Sequence, residues 1–119
     1  MGGRERTTNE VLEDHLRRRA NGDLEGDLEH NYAPDIVLLC KEGVFQGIEA
    51  VRESAAILGM QIPNSRFEYV SCQTHGEYGF LEWRAESDKV RIDDGADSYV
   101  IRDGRIQMQT IHYTPIDKT

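Results

Sequence analysis

Residues 95–114 read GADSYVIRDGRIQMQTIHYT, two alternating runs on either side of Asp103-Gly104. An Asp-Gly pair suits a two-residue type I′ turn, whose central residues both take positive φ. The spacing predicts a C-terminal β-hairpin, residues 98–102 against 105–113. Asp97 stands at the head of the first arm, beside residues of half-buried strand character. Turned inward among Tyr99, Ile101 and Tyr113, it would be a pocket acid whose pKa rises by desolvation. Turned outward beside Asp93 and Asp94, it would be an ordinary solvated acid.

The chain has 119 residues, which predicts one domain over 1–119, and its 38% hydrophobic content allows a modest core. Acidic residues number 22 against 14 basic ones, a formal charge of −8. That balance argues against nucleic-acid and anionic-membrane partners, which need a basic face. No apolar run is long enough to span a bilayer, and no apolar segment follows Met1-Gly2-Gly3-Arg4 as a secretion signal would. Cys40 and Cys72 have no CxxC spacing. The expectation is a cytoplasmic protein with reduced thiols, a disulfide between the two remaining open.

Residues 1–6 are polar and expected to be disordered. Thr7-Thr8-Asn9-Glu10 offers N-cap residues for a first helix, with Val11, Leu12, His15 and Leu16 on one face. Arg17, Arg18 and Arg19 crowd its end, a solvated cationic terminus, and Asn21-Gly22 stops it. Asp23 caps a second helix over 24–32, ended by Ala33-Pro34-Asp35. A short strand at 36–40 turns back through 44–46. Ile48, Val51, Ala55 and Leu58 then give a third helix that stops near Gly59. Strands follow at 66–75, 78–87 and 90–102, the last bent around Asp94-Gly95. Helix, helix, hairpin, helix and meander make an α+β plan: three helices on a curved antiparallel sheet, a cone with a cavity at its mouth.

This order resembles the nuclear transport factor 2-like superfamily. So do the Gly47-Ile48-Glu49-Ala50-Val51-Arg52 stretch and the closing Ile101-Arg102-Asp103-Gly104-Arg105-Ile106. More narrowly, about 9–114 look like its SnoaL-like and ketosteroid isomerase-like members. In the isomerases a tyrosine on the first helix and a protonated aspartic acid on a late strand hold the oxyanion, while a carboxylate at the end of the first strand moves the proton. The resemblance puts His15 at the tyrosine, Asp97 at the oxyanion acid and Cys40 at the base. Only Asp97 matches in type. The resemblance therefore implies a cofactor-free isomerase, cyclase or (de)hydratase acting on a hydrophobic carbonyl compound through Asp97 and His15, which would form a pair. The other reading is a non-catalytic ligand-binding or assembly module. The superfamily's epoxide hydrolases suggest a third, water activation through an inward Arg84. A homodimer through the sheet is also implied, with His112 and Met108 outward.

Around that pair the expected ligand pocket comprises Cys40, Tyr32, Phe80, Trp83, Arg84, Tyr99, Ile111 and Tyr113. The alternation of residues 80–85 leaves open whether Leu81, Trp83 and Ala85 or Phe80, Glu82 and Arg84 face it. Each candidate has a bland alternative: His15 as a satisfied core histidine, Cys40 as a small buried hydrophobe. His30 and His75 look like surface residues. No metal-ligand spacing, phosphate loop or nucleophile elbow occurs.

Overall fold

The computed structural model describes residues 5–118. The expectation of disorder over 1–6 lies outside that range for residues 1–4. Arg6 is anchored, donating to Asn31 Oδ1 (2.8 Å) and to the carbonyls of His30 (2.6 Å) and Gly104 (2.8 Å).

Helix α1 (Thr8–Ala20) begins with a reciprocal cap: Thr7 Oγ1 accepts from the Glu10 amide (3.1 Å), and Glu10 Oε1 accepts from the Thr7 amide (2.8 Å). Such a box satisfies two amides that the first turn would leave unpaired. Helix α2 (Leu24–Asn31) starts under Asp23, whose side chain accepts from the Gly26 amide at 3.0 Å. The chain goes straight from Asn31 into strand β1 (Tyr32–Cys40), so Ala33-Pro34-Asp35 is extended rather than a loop. Pro34, which has no amide hydrogen, falls where β1 is out of register with its neighbour, between Tyr32 and Val37. β2 (Gly43–Gln46) returns antiparallel to β1, and helix α3 (Ile48–Gln61) runs two residues past Gly59.

Strands β3 (Arg66–His75), β4 (Tyr78–Glu86), β5 (Val90–Arg102) and β6 (Arg105–His112) form the expected meander. Asp103 and Gly104 both take positive φ (56° and 69°), as the type I′ turn requires. A short β7 (Pro115–Asp117), unforeseen from sequence, pairs with the start of β5. The sheet order is β2-β1-β6-β5-β4-β3. The α+β cone stands, with one difference: β1 lies parallel to β6, so the sheet is mixed rather than wholly antiparallel. That pairing joins segments about seventy residues apart, and no local turn signal fixes its direction.

β4 alternates buried and exposed along its whole length, with Leu81, Trp83 and Ala85 inward. Helix α1 packs on β3, β4 and β5, and α3 on β1 and β2, closing the concave face. Gly95 sits opposite Trp83, just past the bulge in β5. A Cβ there would lie 2.2 Å from the indole Cδ2. Gly95→Ala should therefore displace Trp83, lowering stability in urea unfolding by about 1–3 kcal/mol and shifting the tryptophan fluorescence. A variant as stable as the parent with unchanged emission would refute the close packing.

Candidate functional site

Antiparallel register brings the inward positions of β4, β5 and β6 together: Leu81 faces Asp97, Asp97 faces Ile111, and Tyr99 faces Gln109. Asp97 turns inward and keeps 7% of its surface. Trp83 Nε1 donates to its Oδ1 at 2.9 Å, and Gln109 Nε2 donates to its Oδ2 at 2.9 Å. The Tyr99 hydroxyl lies 3.4 Å from Oδ2. Burial pushes the Asp97 carboxyl above its ordinary range, against the opposing bonds from Trp83 and Gln109 and the nearby His15.

His15 is 4% exposed on α1. Its Nδ1 lies 2.8 Å from Asp27 Oδ2 and its Nε2 3.2 Å from the Tyr99 oxygen. Asp27, wholly buried, also accepts from Arg19 Nε (2.6 Å) and Asn31 Nδ2 (2.8 Å). Burial alone would raise the Asp27 carboxyl; the bond and charge of His15 and the charge of Arg19 hold it below the usual range. Arg19 Nη2 approaches the Tyr32 hydroxyl (3.5 Å), and that hydroxyl donates to Gln109 Oε1 (2.5 Å). Asp97, Gln109, Tyr32, Arg19, Asp27, His15 and Tyr99 thus close a ring of seven side chains. His15 and Asp97 do not touch as the expected pair; Tyr99 stands between them.

The ring constrains its protons. The low-pKa Asp27 carboxylate only accepts, so Nδ1 of His15 carries a hydrogen. Burial raises Tyr99 far above its ordinary value, so the phenol keeps its one proton. The Tyr99 hydroxyl stands between His15 Nε2 and Asp97 Oδ2, so it donates its one proton to either of them and has lone pairs to accept from the other.

This ring backs a cavity of about 440 Å³ lined by His15, Arg19, Asp97, Tyr99 and Gln109 and, on the apolar side, by residues such as Leu58, Leu81 and Trp83. Trp83, Tyr99, Ile111 and Tyr113 line this cavity. Tyr32 is 1% exposed and supports the wall from behind. Phe80 and Arg84 need correction: they take the convex face, because Leu81 and Trp83 claim the concave one. Phe80 is 41% exposed there, and Arg84 lies 3.8 Å from Glu68, which leaves no inward Arg84 to activate water. Cys40 faces a separate cavity of about 200 Å³ between the β1–β2 hairpin and α3, so it does not stand at the position of a base for Asp97. Ile111 and Tyr113 line both cavities, and Tyr113 bonds Gln61 between them. His30 and His75 are exposed. Cys40 and Cys72 are free thiols. Among the described residues no cluster suits a metal ion.

Sequence reasoning missed Arg19, Asp27, Asn31 and Tyr69. Arg19 is not a solvated helix end: it follows His15 at i+4 and carries the inward face of α1 one turn further. Leu24, Asp27, Leu28 and Asn31 fall at i, i+3, i+4 and i+7, a helical stripe whose polar members carried a detectable signal.

The raised Asp97 pKa fixes a sign. The folded state keeps this proton to higher pH than the unfolded chain, whose carboxyl titrates near about 3.9. Stability from the protonated form is complete below that value and is lost as pH rises through the folded pKa. In urea titrations the wild type should therefore lose stability relative to Asp97→Asn as pH rises above about 4. A difference that is flat, or that grows the other way, would contradict the burial described here.

No functionally curated protein matches the chain. Among solved structures, a candidate SnoaL-like polyketide cyclase from Mesorhizobium loti is 20% identical, with 91% of this chain and 100% of that one covered and a TM-score of 0.66. An NTF2-like protein of unknown function from Cytophaga hutchinsonii is 10% identical over 96% and 95% of the two chains, with a TM-score of 0.73. TerC, co-crystallised with polyporic acid, is 17% identical over 90% and 91%, with a TM-score of 0.72. At these identities the likeness shows the fold. Residues 12–108 match the SnoaL-like domain, and the chain belongs to that family within the NTF2-like superfamily.

Proposed function

We propose that the protein is an enzyme that moves a proton on a hydrophobic carbonyl compound held in the larger cavity, with isomerisation, cyclisation and (de)hydration as the accessible outcomes. The observation that carries this reading is the cavity-lining Asp97 joined to His15 through the Tyr99 hydroxyl. As a carboxylate, Asp97 takes a proton from the carbon next to the carbonyl. The C–H electron pair becomes the carbon–carbon π bond as the carbonyl π pair moves onto oxygen, giving an enolate, and Asp97 returns the proton at a different atom. His15 acts through Tyr99, whose hydroxyl it holds against Asp97. A raised carboxyl pKa suits such a base, because its two forms then lie closer in free energy near neutral pH. The Mesorhizobium loti neighbour, a candidate polyketide cyclase, belongs with this chemistry.

One observation favours a binding module instead: every fully buried side-chain nitrogen and oxygen among the described residues already has a partner, so none of them is left for a substrate to satisfy. Exchange of α-protons in D2O, followed by NMR on a panel of aryl ketones such as 2-tetralone, separates the two. For the enzyme, Asp97→Asn should cut exchange by at least about a hundredfold, the usual scale of acid–base catalysis, with ligand affinity little changed. Parallel loss of both, or no exchange by the wild type, supports the binding module.

A second copy would cover the convex face of the sheet, where Tyr78 is 62% and Phe80 41% exposed. The expected mass in solution at micromolar concentration is that of a dimer, and a monomeric mass counts against this assembly.

A further inference from the structure

The proton ring leaves one strong donor unused. Arg19 donates through Nε to Asp27 (2.6 Å) and approaches Tyr32 through Nη2 (3.5 Å), while Nη1 has no partner among the described residues. This nitrogen is not sealed in the core, because no buried side-chain nitrogen among those residues lacks a partner. Arg19 lines the larger cavity with 26% of its side chain exposed. Its positive charge is only partly offset: Asp27 Oδ2, the carboxylate oxygen it touches, is shared with His15. Asp97, the other cavity acid, is bonded by Trp83 and Gln109, not by Arg19.

A second unpartnered group lines the same cavity. Tyr69 lies opposite Trp83 on β3, and its hydroxyl makes no hydrogen bond among the described residues. Tyr69 keeps 36% of its surface; burial raises its phenol, the Arg19 charge opposes that rise, and the charges of Asp27 and Asp97 add to it. Beside them runs an aromatic row. Phe67 and Trp83 have ring centroids 5.6 Å apart, and Trp83 and Tyr113 are separated by 5.7 Å. Such a surface suits a flat ring system. An unused guanidinium N–H and a phenol lining one cavity suit an oxyanion, since hydrogen bonds to a charged group are the stronger ones.

We propose that Arg19 Nη1 and the Tyr69 hydroxyl receive an anionic oxygen of the ligand, so that the cavity selects aromatic carbonyl compounds bearing a carboxylate or ionised enol over neutral ones of the same skeleton. This names the substrate class of the site described above and rests on that reading for the word substrate. The selection itself is a property of binding.

The test compares 2-naphthoate with 2-acetonaphthone, which share a ring system and differ in charge. Affinities are measured by calorimetry at pH 7 on the full chain. The wild type should bind the carboxylate about tenfold more tightly, and Arg19→Gln should abolish that preference. Because Arg19→Gln also strips a partner from buried Asp27 and can compromise folding, two milder variants are measured beside it. Tyr69→Phe should reduce the preference about threefold, and Arg19→Lys, which keeps the charge but not the planar fork, should retain only part of it. Equal affinities in the wild type, a preference for the ketone, or no binding of either probe would overturn the inference. So would a carboxylate preference that Arg19→Lys and Tyr69→Phe both leave intact. Failure of the catalytic reading looks different: α-proton exchange is then absent or insensitive to Asp97→Asn, while the carboxylate preference persists.

Discussion

The buried carboxylate of Asp27 is the point on which the site turns. A lone charge with no exposure would not persist in the core, and this one is held by His15, Arg19 and Asn31. Two of those partners come from α1 and one from α2 itself, so the ion fixes how the first two helices sit. Removing one partner of such a cluster typically costs about 3–5 kcal/mol, because the remaining charge is left uncompensated. The same bonds set the His15 ring at the angle that aims Nε2 at Tyr99. Packing of the helices and placement of the proton are therefore one problem with one solution.

Asp97 lives under the opposite regime. Its neighbours are dipoles rather than cations: an indole N–H, an amide and a phenol. Asp27 gains enough from charge to stay ionised, whereas for Asp97 burial prevails. Two carboxyl groups linked through one histidine and one tyrosine are thus pushed apart in acidity. That separation leaves one carboxyl committed to its ion pairs and the other held by neutral donors at the cavity wall.

The sequence was legible where structure is local. Asp103-Gly104 announced its turn, Thr7 and Glu10 their cap, and residues 78–86 their alternation. Inward Asp97 and His15 followed from the resemblance and from the helical stripe shared with Val11 and Leu12. What stayed hidden depends on distant pairings. The parallel contact of β1 with β6 has no turn to signal it. Ala33-Pro34-Asp35 looks like a helix stop and is one, but it is also strand, because a register irregularity accommodates the proline. Arg19 and Asp27 each look like ordinary surface charges when read singly. Only the crossing of α1 and α2 brings them together and removes them from water. The outward Phe80 and Arg84 show the converse: alternation allowed two registers, and only the tertiary packing of Trp83 over Gly95 chose between them.

Strict alternation along β4 also divides the protein's freedom to change. Leu81 and Trp83 answer to the cavity, while Phe80, Glu82 and Arg84, interleaved with them, answer only to the convex surface. Substitutions that retune what the cavity accepts need not disturb what the outer face meets, and the reverse holds too. A cavity wall and an outer face are thus written on one strand at odd and even positions, and each can change without remaking the other.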